Sequence, residues 1–188
     1  MAEKDDIFQR INAIEKDITD SSPIEDLKSL GDLYLFLFDI ENDPMHLDKA
    51  VHYLSTAVLQ DPDDARIHAN LGLALMERGS PTEAMTALEK AISTPAPDNK
   101  PYIVAHYLLG KIFMNLGKPL DAIKHLNEAH TLDTTNFDIW NDLAVAHAKA
   151  GNNREAEYIL RRILEEDPEN PLALDNMSRL TELPEDAP

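Results

Sequence analysis

Three columns of apolar residues recur along this chain with one step pattern. Ala50, Ala84, Ala122 and Ala156 lie 34, 38 and 34 residues apart, as do Leu37, Leu71, Leu109 and Leu143, and again Leu54, Leu88, Leu126 and Leu160. A shared period in this range marks stacked supersecondary units, none of which can bury its apolar face alone. The step of 38 holds four extra residues, within Thr94-Pro-Ala-Pro-Asp-Asn-Lys-Pro101, whose three prolines cannot continue a helix.

Inside each unit the pattern is helical. Gly79, Gly117 and Gly151 stand where a first helix would end, glycine being the residue that takes a left-handed C-cap without strain. The second helix then runs Ala–x3–Leu–x2–Ala, as in Ala84, Leu88 and Ala91 or Ala122, Leu126 and Ala129, which is one apolar face at i, i+4 and i+7. Acidic residues recur just before the alanine column, where negative charge suits the start of a helix. Asp61-Pro62 and Asp167-Pro168 close the first and last units.

These residues resemble the tetratricopeptide repeat, whose signature is W-x2-L-G-x2-Y followed by Ala, Phe and Pro. His106-x2-Leu109-Gly110-x2-Phe113, then Ala122, Leu126 and Ala129, fit it, as do His68-x2-Leu71-Gly72-x2-Leu75 and Trp140-x2-Leu143-Ala144. The first unit fits least: Tyr34, Leu37, Ala50, Leu54, Ala57 and Pro62 match, but Phe38 replaces the glycine and Glu41 the aromatic residue. The resemblance implies an all-α fold, a right-handed superhelical solenoid of four helix-turn-helix units at 31–64, 65–98, 103–136 and 137–170 within residues 31–170. Residues 171–183 read as a C-terminal capping helix and 184–188 as a disordered tail.

Residues 1–30 form an extension in this reading. Ile7, Ile11, Ile14 and Ile18 make one apolar seam among charges, as expected of a helix that covers the first unit. Ser22-Pro23-Ile24-Glu25 has the form of a capping box, predicting a helix from there to about Asn42. Its centre, Tyr34-Leu-Phe-Leu-Phe38, is apolar on nearly every side and calls for burial on every side. The alternatives for the leading helix are exchange between copies, giving a homo-oligomer, or a detachable lid over the groove.

The composition excludes several functions. Net charge is −18, distributed as −11 over residues 1–64, zero over 65–136 and −7 over 137–188, so no basic patch offers itself to nucleic acid. The chain has no cysteine, no apolar stretch of membrane-spanning length and no apolar run near its start, and the cytoplasm is the simplest location. No phosphate loop, zinc-protease motif, nucleophile elbow or calcium loop occurs, and the expectation is a non-enzyme with no cofactor. His68, His106 and His147 occupy slots where the repeat carries aromatic rings, so packing is their expected role.

The family's first helices line a concave groove, and that resemblance implies a set of lining residues. They include Leu35 and Asp39 in the first unit; Arg66, Ala69, Asn70, Leu73 and Met76 in the second; Val104, Tyr107, Lys111 and Met114 in the third; and Asp138, Asn141, Val145 and Ala148 in the fourth. Some members carry a two-carboxylate clamp of Lys, Arg and Asn, of which Asn70 alone has a counterpart here. The expected partner is a protein or peptide, basic or amphipathic, held by an adaptor or scaffold. A self-assembling scaffold and an export or assembly chaperone using the same groove are the alternatives.

Overall fold

The computed structural model describes residues 2–19 and 21–181. Every regular element among them is an α-helix: α1 (Ala2–Glu15), α2 (Ile24–Glu41), α3 (Pro44–Gln60), α4 (Ala65–Glu77), α5 (Pro81–Ser93), α6 (Lys100–Asn115), α7 (Pro119–Leu132), α8 (Phe137–Lys149), α9 (Asn153–Glu166) and α10 (Pro171–Thr181). Residues 182 and 183 of the expected capping helix, and the whole 184–188 tail, lie outside the described residues. The chain divides within α6 into two compact units, Met1–Ala105 and His106–Pro188.

Local chemistry sets the helix ends. Proline opens α3, α5, α7 and α10, where its missing N–H costs nothing. Asp64 caps α4 by accepting from the Arg66 and Ile67 amides at 2.8 and 3.2 Å, and Asn136 caps α8 from Asp138 and Ile139. Gly79, Gly117 and Gly151 all have positive φ at the ends of first helices. The residue after each bonds back across the turn: Ser80 to Leu75, Lys118 to Phe113 and Asn152 to His147, at 2.8–2.9 Å. Asn42, with φ of 53°, replaces glycine at the end of α2.

In the first unit, Leu27, Leu30, Tyr34 and Leu37 of α2 pack with Leu54 and Ala57 of α3, Ile67 and Ala74 of α4, and Ile7 and Ile11 of α1. The seam of α1 is therefore spent on its own chain. Burying an isoleucine of this kind stabilises by roughly 1.5–3 kcal/mol. Both ends of α1 are also tied. Lys4 pairs with Glu41 at the far end of α2. Glu15 Oε1 accepts from the Tyr34 hydroxyl at 2.6 Å, the Tyr53 hydroxyl at 2.8 Å and the Lys49 ammonium at 3.1 Å.

Two expectations for this region are corrected. Ser22 does not close a capping box: its Oγ accepts from the Thr19 amide at 2.8 Å, and Pro23 precedes α2 without a side-chain cap. The repeat signature of the first unit also sits seven residues earlier than the spacing suggested. A Cβ on Gly31 would meet Leu54 Cγ at 2.5 Å, just as one on Gly72 would meet Leu88 and one on Gly110 would meet Leu126. Gly31 thus holds the glycine slot, and Leu27-x2-Leu30-Gly31-x2-Tyr34 is the signature. Phe38 and Glu41 lie two turns beyond it. Seven residues fall only about 20° short of two full turns, so both registers present the same apolar stripe. The difference lies in length: α2 and α3 have 18 and 17 residues, against 13 each for α4 and α5.

The second unit stacks the C-terminal part of α6 on α7, then α8, α9 and α10. Its core joins Ala122 and Leu126 to Leu143 and Ala144, to Ile159, Leu160 and Ile163, and to Ala173 of α10. At the α6–α7 contact, His106 and His125 bring their Nδ1 atoms to 3.1 Å and Phe113 stacks on His125. His130 meets the edge of Trp140 at 4.7 Å between ring centroids. The histidines at 106 and 130 are packing residues whose imidazoles burial pushes below their ordinary value, with His125 adding repulsion at His106.

Candidate functional site

The lining residues implied by the repeat belong to α2, α4, α6 and α8, whose last turns are fixed by the left-handed caps described above. In the first unit, moving the register by seven residues replaces Leu35 and Asp39 with Lys28 and Asp32 at the corresponding slots. Leu35 remains on the lining face, in the slot that Met76 holds in the next hairpin, but half-buried against the core. Asp39 is exposed on the added turns.

Asp32 organises this surface. One of its oxygens accepts from Asn70 Nδ2 at 2.6 Å, and the other lies 3.2 Å from the Arg66 guanidinium. Burial pushes the Asp32 carboxyl up, against the pull of Asn70, Arg66 and Lys28. Lys28 in turn reaches Asp64 at 2.9 Å and Glu25 at 3.0 Å. Burial would raise Asp64, but the Lys28 bond and the Ile67 and Arg66 amides outweigh it and hold the carboxyl low. Asn70 and Lys28 are therefore engaged within the chain, which leaves no free clamp for a carboxylate. Leu73, Met76 and Val104 are half-buried.

In the second unit, Tyr107 is half-buried with the Lys111 ammonium 5.4 Å from its ring centre, a cation–π arrangement. Its hydroxyl bonds Asp142, and burial pushes both groups up. Asp138 is exposed, and Met114 and Val145 are half-buried. Ala69 of the implied set is buried, and so is Asn141, which is only 3% exposed. Its amide donates to the Phe137 carbonyl at 3.0 Å and approaches Asn170 at 3.4 Å, and its oxygen accepts from Asn176 at 3.2 Å. The cause is α10, which packs on α8 as a further first helix would and uses Asn141 as its latch.

Sequence reasoning missed Lys28 and Asp32 although their signal was present, because Leu30-Gly31 is the dipeptide that the signature asks for. It placed Val145 and Ala148 on the lining but gave no sign of the cavity of about 420 Å³ that they share, in the second unit, with Ala144, Ala156, Leu160 and Leu180. Among the described residues no group of three or more His, Cys, Asp and Glu is arranged to hold a metal ion. No helix there is long and apolar enough to cross a membrane.

Comparison with known proteins agrees with the fold. Two family models of the tetratricopeptide repeat match, over residues 46–100 and 113–180. The chain is 28% identical over 116 residues to human protein O-mannosyl-transferase TMTC3, a match that takes in 61% of this chain and 12% of that protein. Among solved structures, MamA superposes with a TM-score of 0.72 at 22% identity, over 97% of this chain and 95% of the other. YrrB, described as a tetratricopeptide protein with an unusual peptide-binding site, superposes with a TM-score of 0.65 at 20% identity, over 91% and 81%. At these identities the likeness concerns the fold.

Proposed function

Because the chain belongs to the tetratricopeptide repeat family, we propose that it is a non-catalytic adaptor that holds a peptide or helix of a partner protein against the face of its first helices. The observation that carries this reading is the surface around Tyr107. A large amphipathic ring stands half-exposed, held by Asp142 below and Lys111 above, beside Met114 and the exposed Asp138. Rigid aromatic anchors with polar rims are what protein interfaces use as hot spots. Arg66, Leu73 and Met76 offer the equivalent face in the first unit. The reading keeps the cytoplasm as its setting.

TMTC3 is named as a transferase, but the match takes in only 12% of its length. The arrangement in which α1 leaves its own chain to enter the groove of another copy would break the Glu15 bonds and uncover Ile7 and Ile11, which favours the adaptor.

The test is site-specific photo-crosslinking in the native organism. A photoreactive residue at Lys111 or Asp138 is expected to capture discrete partners, and one at Thr131, exposed on the second helix α7, is expected to capture none. Equal capture from both faces would overturn the reading.

A further inference from the structure

The cavity between α8, α9 and α10 has a specific origin. Its floor is built from alanines at 144, 148 and 156, with Leu160 and Leu180 beside them. Ala148 occupies the slot that Met76 and Met114 hold in the two preceding hairpins. Where those carry a long flexible side chain, this one carries a methyl group, and a space of about 420 Å³ stands open to solvent. That volume falls within the range of sites that hold small ligands or side-chain anchors.

The charges beside it are unusual for this chain. Net charge overall is −18, yet the two ionised residues that line the cavity, Lys149 and Arg179, are both cations. Arg179 shares its charge with Asp175 at 3.0 Å, and both groups are well exposed. Asn176 completes the polar edge. An aliphatic floor beside cations selects by charge as well as by shape, since a basic segment would meet repulsion there and an acidic one attraction.

We infer that this cavity takes an aliphatic side chain, of leucine size, from an acidic segment of a partner protein. The anchor fills the space left by Ala148, and carboxylates flanking it face Lys149 and Arg179. The inference rests on the first-helix reading above and gives its partner a chemistry opposite to the one that net charge alone suggests.

The experiment uses the full chain and three synthetic decapeptides: one with a central leucine flanked by glutamates, one with the same leucine flanked by lysines, and one with glutamates flanking alanine. The first is expected to bind at least tenfold more tightly than either of the others, with NMR shifts at Ala148 and Leu180. Ala148→Met should cut its affinity tenfold or more while leaving thermal stability unchanged, since Met76 and Met114 show that the repeat accepts methionine there. Lys149→Glu should shift the preference towards the lysine-flanked peptide. Equal binding of all three, no binding of any, or an Ala148→Met protein that binds as before would overturn the inference, while capture at Lys111 would leave the adaptor reading standing. A Leu183→Ser chain that bound the acidic peptide tenfold better would assign the cavity to the chain's own residues 182–188 and overturn the inference too.

Discussion

Gly31 lies against Leu54 so closely that a Cβ there would stand 2.5 Å from Leu54 Cγ. Gly72 and Gly110 meet Leu88 and Leu126 in the same way, and all three leucines are buried. Alanine favours a helix over glycine by about 1 kcal/mol, whereas overpacking a tight core costs about 1–3 kcal/mol. Gly31→Ala, like Gly72→Ala, is therefore expected to destabilise by about 1 kcal/mol, with a lower urea midpoint. A raised midpoint for Gly31→Ala alone would mean that the first hairpin is not closed as the others are.

Glu15 gathers three donors from two other helices. Burial would raise its carboxyl, but the bonds from Tyr34, Tyr53 and Lys49 outweigh that and hold it below the usual carboxylate range. Burial and the Glu15 charge push Tyr53 up to about 12. A lowered carboxyl contributes stability above its ordinary value and loses it as pH falls through the lower, folded one. Glu15→Ala should cost about 1.5–3 kcal/mol at neutral pH, a hydrogen bond to a charged group being worth that much. Hydrogen exchange is expected to quicken across α1 and to stay unchanged across α8–α10. Unaltered protection of α1 would show that Ile7 and Ile11 hold it unaided.

Trp140 is the chain's only tryptophan and reports on His130. Burial holds the His130 imidazole below its ordinary value of 6.5, with Asp133 opposing. His106 and His147 are likewise lowered by burial. Such groups stabilise the fold above the ordinary imidazole value, and that contribution fades as pH falls from there towards their own lower values. Trp140 fluorescence should therefore titrate with a midpoint below 6.5, and His130→Gln should abolish the transition. A midpoint above 6.5 would contradict the packing described.

Asp142 shows the opposite sign. Burial raises its carboxyl despite the Tyr107 bond and the Lys111 charge. A raised carboxyl favours the fold while protonated and loses that advantage as pH rises through the folded value. Asp142→Asn should raise the melting temperature at pH 7, with the gain shrinking as pH falls through the raised folded value and gone by the ordinary 3.8. Destabilisation at pH 7 would mean that Tyr107 needs the charged acceptor.

The columns at Ala84, Leu88 and Ala91 were legible because close helix packing demands small and large residues at fixed spacing, and Gly79, Gly117 and Gly151 because a left-handed cap demands glycine. Leu37 misled for a related reason. Its 34-residue step to Leu71 reflects a stripe that repeats every seven residues, whereas Leu30 is the residue packed in that role. Asn141 looked exposed because its cover comes from α10, an element outside its own repeat. Glu15 gave no signal at all, since its donors lie 19, 34 and 38 residues away and follow no period. The cavity at Ala148 is visible in the sequence only as a methionine that is missing.

The long first hairpin carries a lesson for building with such arrays. Its seven added residues sit at the tip, beyond Gly31 and Leu54, and leave the seam to α4 untouched. The addition is shared between the arms: α2 runs on to Glu41 past Gly31, α4 only to Glu77 past Gly72, and α3 opens at Pro44, further ahead of Leu54 than Pro81 is of Leu88, so both arms lengthen while the contact at their base is kept. Grafting the same addition, split between the two arms, into the α4–α5 or α8–α9 tip should extend those hairpins in the same way.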